Sequence, residues 1–142
     1  MGNFLVIDDE PALLALAIAA LRKDGHTVHA VSNPLEAIEI CTAKDDFDLV
    51  IIDINMEPIG GFEVVYRLRL NSVNSPVLFM TGGWIASAIA ERIGHRSIID
   101  KPFTALQFRR AVNNMLLKHG KWPAAFGHPT GTQLADAEAS DR

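Results

Sequence analysis

Charged and hydroxyl side chains follow four short apolar runs of this sequence. Asp8 and Asp9 come after the first run, Asp53 ends another, and Thr81 and Lys101 follow two more. A carboxylate or ammonium group at the end of a buried strand costs free energy unless it is paired, so its presence there needs an explanation. For Asp53 alone, a turn cap would be a sufficient explanation. The recurrence at four run ends instead predicts one shared reactive site.

These residue types suit phosphoryl transfer. Two carboxylates about 4 Å apart repel by roughly 4 kcal/mol at an effective dielectric near 20, so the cluster needs a cation or a proton. Oxygen ligands without neighbouring Cys or His favour Mg²⁺. Asp53 would attack phosphorus, while Lys101 and Thr81 would bind the phosphoryl oxygens. We therefore expect an aspartyl phosphate at Asp53, with Mg²⁺ as the cofactor.

Five apolar runs of strand length alternate with helical patterns. The runs are Phe4 to Ile7, Thr27 to Val31, Leu49 to Ile52, Val77 to Met80 and Ser97 to Asp100. This alternation predicts an α/β fold with a doubly wound, five-stranded parallel sheet and right-handed crossovers. The carboxyl ends of all strands then lie at one edge of the sheet, where ligands bind. The predicted fold thus brings the candidate residues together.

Start and stop signals bound the predicted helices. The first helix opens at Pro11 and ends at Gly25. Capping boxes are predicted at Asn33 to Glu36 and at Thr104 to Gln107, opening the second and the last helix. A stripe of Ile85, Ile89 and Ile93 predicts the fourth helix, before the fifth strand.

Length and composition predict one domain. The chain has 142 residues, of which 49% are hydrophobic, which is ample for a single core. We expect a domain over residues 1–118. Residues 119–142 are rich in Pro, Gly, Ala and Asp without any period, which predicts a flexible tail and no output domain.

Charge and hydropathy exclude several classes of function. A net charge of −4 provides no basic field for direct binding of nucleic acid. The run Ala12 to Leu21 is too short to insert across a membrane, and the N-terminus lacks the features of a signal peptide, so we expect a cytoplasmic protein. The single cysteine, Cys41, excludes an internal disulfide. The five histidines and Arg109 are expected to be solvated.

The site residues resemble a known family when taken with their neighbours. The matching segments are Ile7 to Glu10, Asp53 with Met56 and Gly61, Met80 to Gly82, and Lys101 to Phe103. In order and spacing they resemble the receiver domain of two-component response regulators, over residues 3–118. The resemblance implies a flavodoxin-like (βα)5 fold with strand order 2-1-3-4-5. It also implies a single-domain, chemotaxis-type signalling protein that is not an enzyme beyond its own phosphorylation and dephosphorylation.

The resemblance implies roles in metal binding. Asp53 would be both phosphoacceptor and ligand of Mg²⁺. Asp9 would ligate the ion directly, Asp8 would reach it through water, and Asn55 would contribute its backbone carbonyl. The phosphoryl group would come from a histidine kinase or a histidine phosphotransfer protein, and a downstream protein target would read the result.

Further roles implied by the resemblance concern the switch. Thr81 would be the switch hydroxyl, Lys101 the phosphate-binding cation, and the bond before Pro102 would be cis. The family commonly has an aromatic residue where this chain has Ile98. An aliphatic side chain has fewer rotamers and no polar tip, so phosphorylation would be read out through Thr81 and the loop Gly82 to Trp84.

The active-site loop also departs from the family pattern. Proline usually follows the methionine directly, but Glu57 separates Met56 from Pro58 in this chain. Because the spacing to Gly61 is kept, we expect a reshaped loop around an intact site. Glu57 would add a carboxylate near the metal.

Two alternative functions remain open at this stage. The first is a Mg²⁺-dependent phosphohydrolase of the haloacid-dehalogenase type. Such an enzyme needs a second Asp where this chain has Asn55, and its nucleophile usually comes from the first strand. The second is a receiver-like binding module that acts without phosphorylation. The full set of site residues argues against this alternative, whereas Ile98 leaves it open.

Overall fold

Five parallel strands form one twisted sheet in the computed structural model, which describes residues 2–82, 92, 94 and 97–119. The strands are β1 (Asn3–Ile7), β2 (Thr27–Val31), β3 (Leu49–Asp53), β4 (Val77–Thr81) and β5 (Ile98–Asp100). Their order across the sheet is β2-β1-β3-β4-β5, and every neighbouring pair is parallel. The predicted doubly wound fold and its strand order are confirmed.

Four helices of the described residues cover the sheet. They are α1 (Pro11–Lys23), α2 (Pro34–Ala43), α3 (Gly61–Leu70) and a C-terminal helix (Ala105–Lys118). Proline occupies the first turn of α1 and α2, where its missing N–H costs no hydrogen bond. The predicted fourth helix, with Ile85, Ile89 and Ile93, lies outside the described residues. None of the described helices is long and apolar enough to cross a bilayer.

The core has two layers because successive side chains of a strand point to opposite faces. On β3, Val50 and Ile52 pack with residues of α2 and α3, whereas Leu49 and Ile51 pack with residues of α1 and the C-terminal helix. All five residues of β3 are buried. A central strand buried on both faces therefore holds Asp53 rigidly at its carboxyl end.

The two predicted capping boxes have different outcomes. At the C-terminal helix, the Gln107 N–H donates to Thr104 Oγ1 at 3.1 Å, and the Thr104 N–H donates to the Gln107 side chain at 2.8 Å. At α2, Asn33 accepts a hydrogen bond from the Leu35 N–H at 2.9 Å. Since Asn33 bonds the second helical residue, the exposed Glu36 completes no box, and that part of the prediction was wrong.

Two residues expected to be solvated have specific partners instead. His26 is 5% exposed, and its Nδ1 accepts the Gly2 N–H at 3.0 Å. Arg109 donates two hydrogen bonds to the carboxylate of Asp24, at 2.8 and 2.6 Å. These contacts join segments 24 and 85 residues apart. Local sequence pattern gave no signal for them.

Candidate active site at the carboxyl edge of the sheet

The strand register sets the site. Residue 53 of β3 pairs with residue 80 of β4, and Thr81 pairs with Asp100 of β5. Asp53 and Thr81 therefore end adjacent strands, and Lys101 directly follows β5. Asp8 follows β1, which lies on the other side of β3. The sheet thus delivers an acid from each of two strands, a hydroxyl from the third and an ammonium group from the fourth.

Lys101 is the centre of the site. Its Nζ lies 2.7 Å from Asp8 Oδ2, 3.1 Å from Asp53 Oδ2 and 3.3 Å from Glu10 Oε1. The Lys101 side chain is 13% exposed, and those of Asp8 and Asp53 are 0% and 5% exposed. One cation therefore faces three carboxylates, two of them nearly removed from solvent.

Backbone N–H groups fix the other oxygen of each buried acid. Asp8 Oδ1 accepts the Glu10 N–H at 2.8 Å, and Asp53 Oδ1 accepts the Asn55 N–H at 3.1 Å. In both cases the donor is two residues further along the chain, so the acid closes a turn just beyond its strand. The Oδ2 atom of each acid is left to face Lys101.

The pKa values of Asp8 and Lys101 are both raised, but for different reasons. Burial raises the pKa of Asp8, and contacts with Lys101 only partly oppose this effect. Burial alone would lower the pKa of Lys101, but its contacts with Asp8 and Asp53 outweigh burial and raise it. The carboxylates thus favour the charged form of Lys101.

Thr81 contributes a buried hydroxyl. The residue is 0% exposed, and its Oγ1 has no hydrogen-bond partner among the described residues. Its carbonyl accepts the Lys101 N–H at 2.7 Å, which connects β4 to the turn that carries the lysine. The Lys101–Pro102 peptide bond in that turn is cis. A buried hydroxyl without a partner is suited to donate to an arriving ligand oxygen.

The third carboxylate near Lys101 belongs to Glu10, and Asp9 lies apart from this group. Single oxygens of Asp8, Glu10 and Asp53 lie within 4.8 Å of one another, whereas Asp9 is exposed. The chain bends at Asp9, and the Glu10 N–H donates to Asp8 Oδ1 across this turn. The turn places Glu10 near Lys101, and sequence reasoning missed this because strand alternation does not continue past β1.

The donor set fits a hard divalent cation. Three carboxylates offer only oxygen, and Mg²⁺ prefers oxygen ligands with positions left open for phosphate. Asn55 is exposed beside this group, with its N–H bonded to Asp53. Glu57 is also exposed and is not one of the three clustered acids. The residues present therefore suit Mg²⁺.

A tight loop connects Asp53 to α3. A Cβ atom at Gly61 would lie 2.5 Å from the Asp53 carbonyl oxygen, and one at Gly60 would lie 2.6 Å from that of Ile54. Only glycine allows these backbones to approach so closely. The Gly61 N–H donates to the Ile54 carbonyl at 3.0 Å and closes the base of the loop. Within it the Glu57–Pro58 bond is cis, a feature that the sequence did not predict.

Ile98 lies on β5 opposite Phe79 of β4 and is partly buried against the α2–α3 side of the core.

On the opposite face of the sheet, a groove of about 470 Å³ runs between α1 and the turn after β5. It is lined by Glu10, Ala12, Leu13, Leu16, Gly82, Lys101, Pro102 and Phe103. The groove is mainly apolar, with the charged site at one end.

Fold and site together define a flavodoxin-like α/β protein with an acidic site at the carboxyl ends of its strands. The family model of the response regulator receiver domain matches residues 4–113. The chain belongs to this family.

Individual relatives agree with this assignment. The chain is 38% identical over 106 residues to the transcriptional regulatory protein TcrA of Mycobacterium tuberculosis, covering 71% of this chain and 40% of the relative. A response regulator receiver protein of Sinorhizobium medicae has a solved structure with 30% identity and a TM-score of 0.69, covering 81% of this chain and 94% of that one. A receiver domain of Clostridium thermocellum has 27% identity and a TM-score of 0.73, covering 84% and 98%.

Proposed function

We propose that this receiver domain accepts a phosphoryl group on Asp53 from a phosphohistidine, in a reaction that depends on Mg²⁺. The observation that carries the proposal is the contact of Lys101 with Asp53 and Asp8, at the sheet edge where Thr81 has a buried hydroxyl without a partner among the described residues. The proposal assigns the receiver unit to residues 1–118, which include the matched residues 4–113.

The transfer uses residues that the fold already aligns. A carboxylate oxygen of Asp53 attacks phosphorus while the bond from phosphorus to the donor imidazole nitrogen breaks and its electron pair stays on that nitrogen. Lys101 donates to a phosphoryl oxygen, and the Thr81 hydroxyl donates to another. The arriving group carries about −1.5 to −2 charge, judging from other phosphorylated side chains, so a fixed cation at Lys101 stabilises it.

Mg²⁺ would be held by Asp8, Asp9, Asp53 and the Asn55 backbone carbonyl, with Glu10 close to the same position. When bound, the ion neutralises phosphoryl oxygens. The domain would also catalyse the hydrolysis of its own aspartyl phosphate. The proposed kinase or histidine phosphotransfer protein acts in the cytoplasm.

Readout would begin at Thr81. When its hydroxyl binds the phosphoryl group, the turn after β5 is stabilised in one arrangement, because the Lys101 N–H in that turn donates to the Thr81 carbonyl. This arrangement changes the affinity for a downstream protein target. Ile98 has no hydroxyl or ring to follow this movement. We therefore assign the readout to the threonine and its loop.

The test is labelling with acetyl phosphate and Mg²⁺, followed by intact-mass measurement. The native chain is expected to gain one phosphoryl group that is stable in acid and labile in base. Asp53→Asn should abolish the label, and Asp46→Asn, which removes an exposed acid from the loop before β3, should leave it unchanged.

A label that persists in Asp53→Asn would refute the proposal. Multiple turnover of a phosphomonoester would instead favour a phosphohydrolase. A partner that binds equally well with and without beryllium fluoride would favour a module independent of phosphorylation.

A further inference from the structure

Glu10 occupies an unusual position for a long acidic side chain. It is the N-cap residue of α1, yet its side chain makes no cap hydrogen bond. N-caps are normally short side chains that accept from the first turn of their helix. The Glu10 carboxylate instead contacts Lys101 Nζ at 3.3 Å, across 91 residues of sequence. Its position is therefore determined by the lysine and not by the helix.

Carboxylate oxygens surround the ammonium group of Lys101. Its Nζ donates hydrogen bonds to Asp53 Oδ2 at 3.1 Å and to Glu10 Oε1 at 3.3 Å, and Asp8 Oδ2 lies 2.7 Å away as an ion pair. An ammonium group has only three N–H donors. A phosphoryl oxygen that binds Lys101 therefore competes with these carboxylates.

Glu10 is the acid that can leave most readily. Asp8 has no exposed side-chain surface, and Asp53 is the residue that would carry the phosphoryl group. The Glu10 side chain is 63% exposed and makes the longest of the three contacts. Water can replace its contact with Lys101 at little cost, since exposed ion pairs contribute weakly.

We propose that Glu10 is a positioning residue that accepts one hydrogen bond from Lys101 until a phosphoryl oxygen displaces it. This inference rests on the proposed function. Glu10 keeps the ammonium group directed towards the mouth of the site, and its carboxylate competes with the incoming anion for the same donor. It also repels that anion. Both effects make the resting site bind phosphoryl groups less tightly than Lys101 alone would allow.

The groove beside α1 supports this exchange. Glu10 and Lys101 both line it, so within the part of the chain that the structure describes, the contact that must open borders a groove and not packed side chains. Released Glu10 can turn into solvent without moving α1. The exchange therefore requires one side-chain rotation.

The test is the affinity for beryllium trifluoride, an anionic phosphoryl mimic, measured by fluorine NMR with Mg²⁺ saturating for every variant. Saturating Mg²⁺ separates anion binding from any effect of Glu10 on the metal. Glu10→Gln keeps the size and the acceptor oxygen but removes the charge. We expect it to bind the anion about two- to five-fold more tightly than the native chain, the range that a partly exposed ion pair allows.

A matched control is Glu39→Gln, an exposed residue of α2 that undergoes the same loss of charge. It should leave the affinity unchanged. Because competition between charges is screened by salt, the difference between Glu10→Gln and the native chain should shrink as NaCl is raised. Glu10→Asp keeps the charge on a shorter side chain that reaches Lys101 less well. Its affinity for the anion should lie between those of the native chain and Glu10→Gln.

The outcomes separate the inference from the proposed function. If the native chain binds the anion and Glu10→Gln binds it equally or more weakly, the inference is overturned and the proposed function stands. A difference that does not respond to salt also overturns it. Failure of the native chain to bind the anion overturns the proposed function, and the inference with it.

Discussion

Two parts of this molecule hold buried acids against a cation, and they do so in opposite ways. Where α1 ends, Arg109 meets a single carboxylate, Asp24, through two hydrogen bonds of 2.6 and 2.8 Å. At the carboxyl edge of the sheet, Lys101 meets three acids within 3.3 Å. The first arrangement pairs one cation with one carboxylate, and the second places three carboxylates around one cation.

The difference separates a structural contact from a functional one. A balanced, bidentate pair needs nothing more and joins α1 to the C-terminal helix. An excess of buried negative charge raises the free energy of the folded state unless a further cation binds. The sequence contains acids at both places, and the two sites differ in how many carboxylates surround one cation. The arrangement around Lys101 is therefore suited to binding a further cation.

The largest expected effect is at the balanced pair. Arg109→Met leaves the Asp24 carboxylate, whose side chain is 5% exposed, without its cation. We expect Tm to fall by several degrees in thermal unfolding, with Mg²⁺ binding unchanged. As a control, Arg110→Met, at an exposed neighbour on the same helix, should change Tm little. Equal stability of the two variants would contradict a structural role for the pair.

Mg²⁺ should stabilise the unbalanced site. At ten times its Kd, a ligand that binds only the folded state contributes about 1.4 kcal/mol. We expect this gain in urea unfolding of the native chain and little of it in Asp8→Asn. NaCl at the same ionic strength serves as the control for screening. An equal gain from NaCl would show that no divalent site exists.

Removing an acid from the unbalanced site should stabilise the protein without metal. Asp53→Asn relieves repulsion between carboxylates and loses one ion pair with Lys101, so we expect a net gain of up to about 1 kcal/mol. The measurement is urea unfolding in EDTA. Asp24→Asn, measured in parallel, should lower stability. The same sign for both variants would remove the contrast between the two regions.

The smallest expected effect concerns His26, near the balanced pair. Burial lowers its pKa below 6.5, although Asp24 and Asp48 partly oppose this effect. The unfolded chain therefore binds a proton that the folded chain resists. Stability should fall as the pH drops through 6.5 and should level off below the folded pKa.

His26→Gln keeps an acceptor for the Gly2 N–H and cannot titrate in this range. Its stability should change less than that of the native chain between pH 7.5 and 5.5 in urea unfolding. His29→Gln, at an exposed position of β2, should behave like the native chain. Identical pH profiles for all three proteins would exclude His26 as the titrating group.

The fold and most of the site could be predicted because they depend on local pattern. The apolar runs gave the strands, and the topology of a parallel sheet then placed Asp53, Thr81 and Lys101 at one edge. The proximity of Glu10 to Lys101 was missed, because it depends on the turn at Asp9 and on a contact across 91 residues of sequence. The partners of His26 and Arg109 could not be predicted, because they come from residues distant in sequence that only the folded packing brings together.

The closed base of the loop between Asp53 and α3 bears on how such proteins diversify. With Gly61 resting on the Asp53 carbonyl and its N–H bonded to Ile54, the five residues 55–59 span two points fixed in space. The proline in this segment lies one position later than in the family pattern, yet Asp53 still contacts Lys101. We therefore expect residues 55–59 to be exchangeable: segments from other family members, grafted between the same two fixed points, would change the surface of the loop while Asp53, the proposed phosphoacceptor, stays in contact with Lys101.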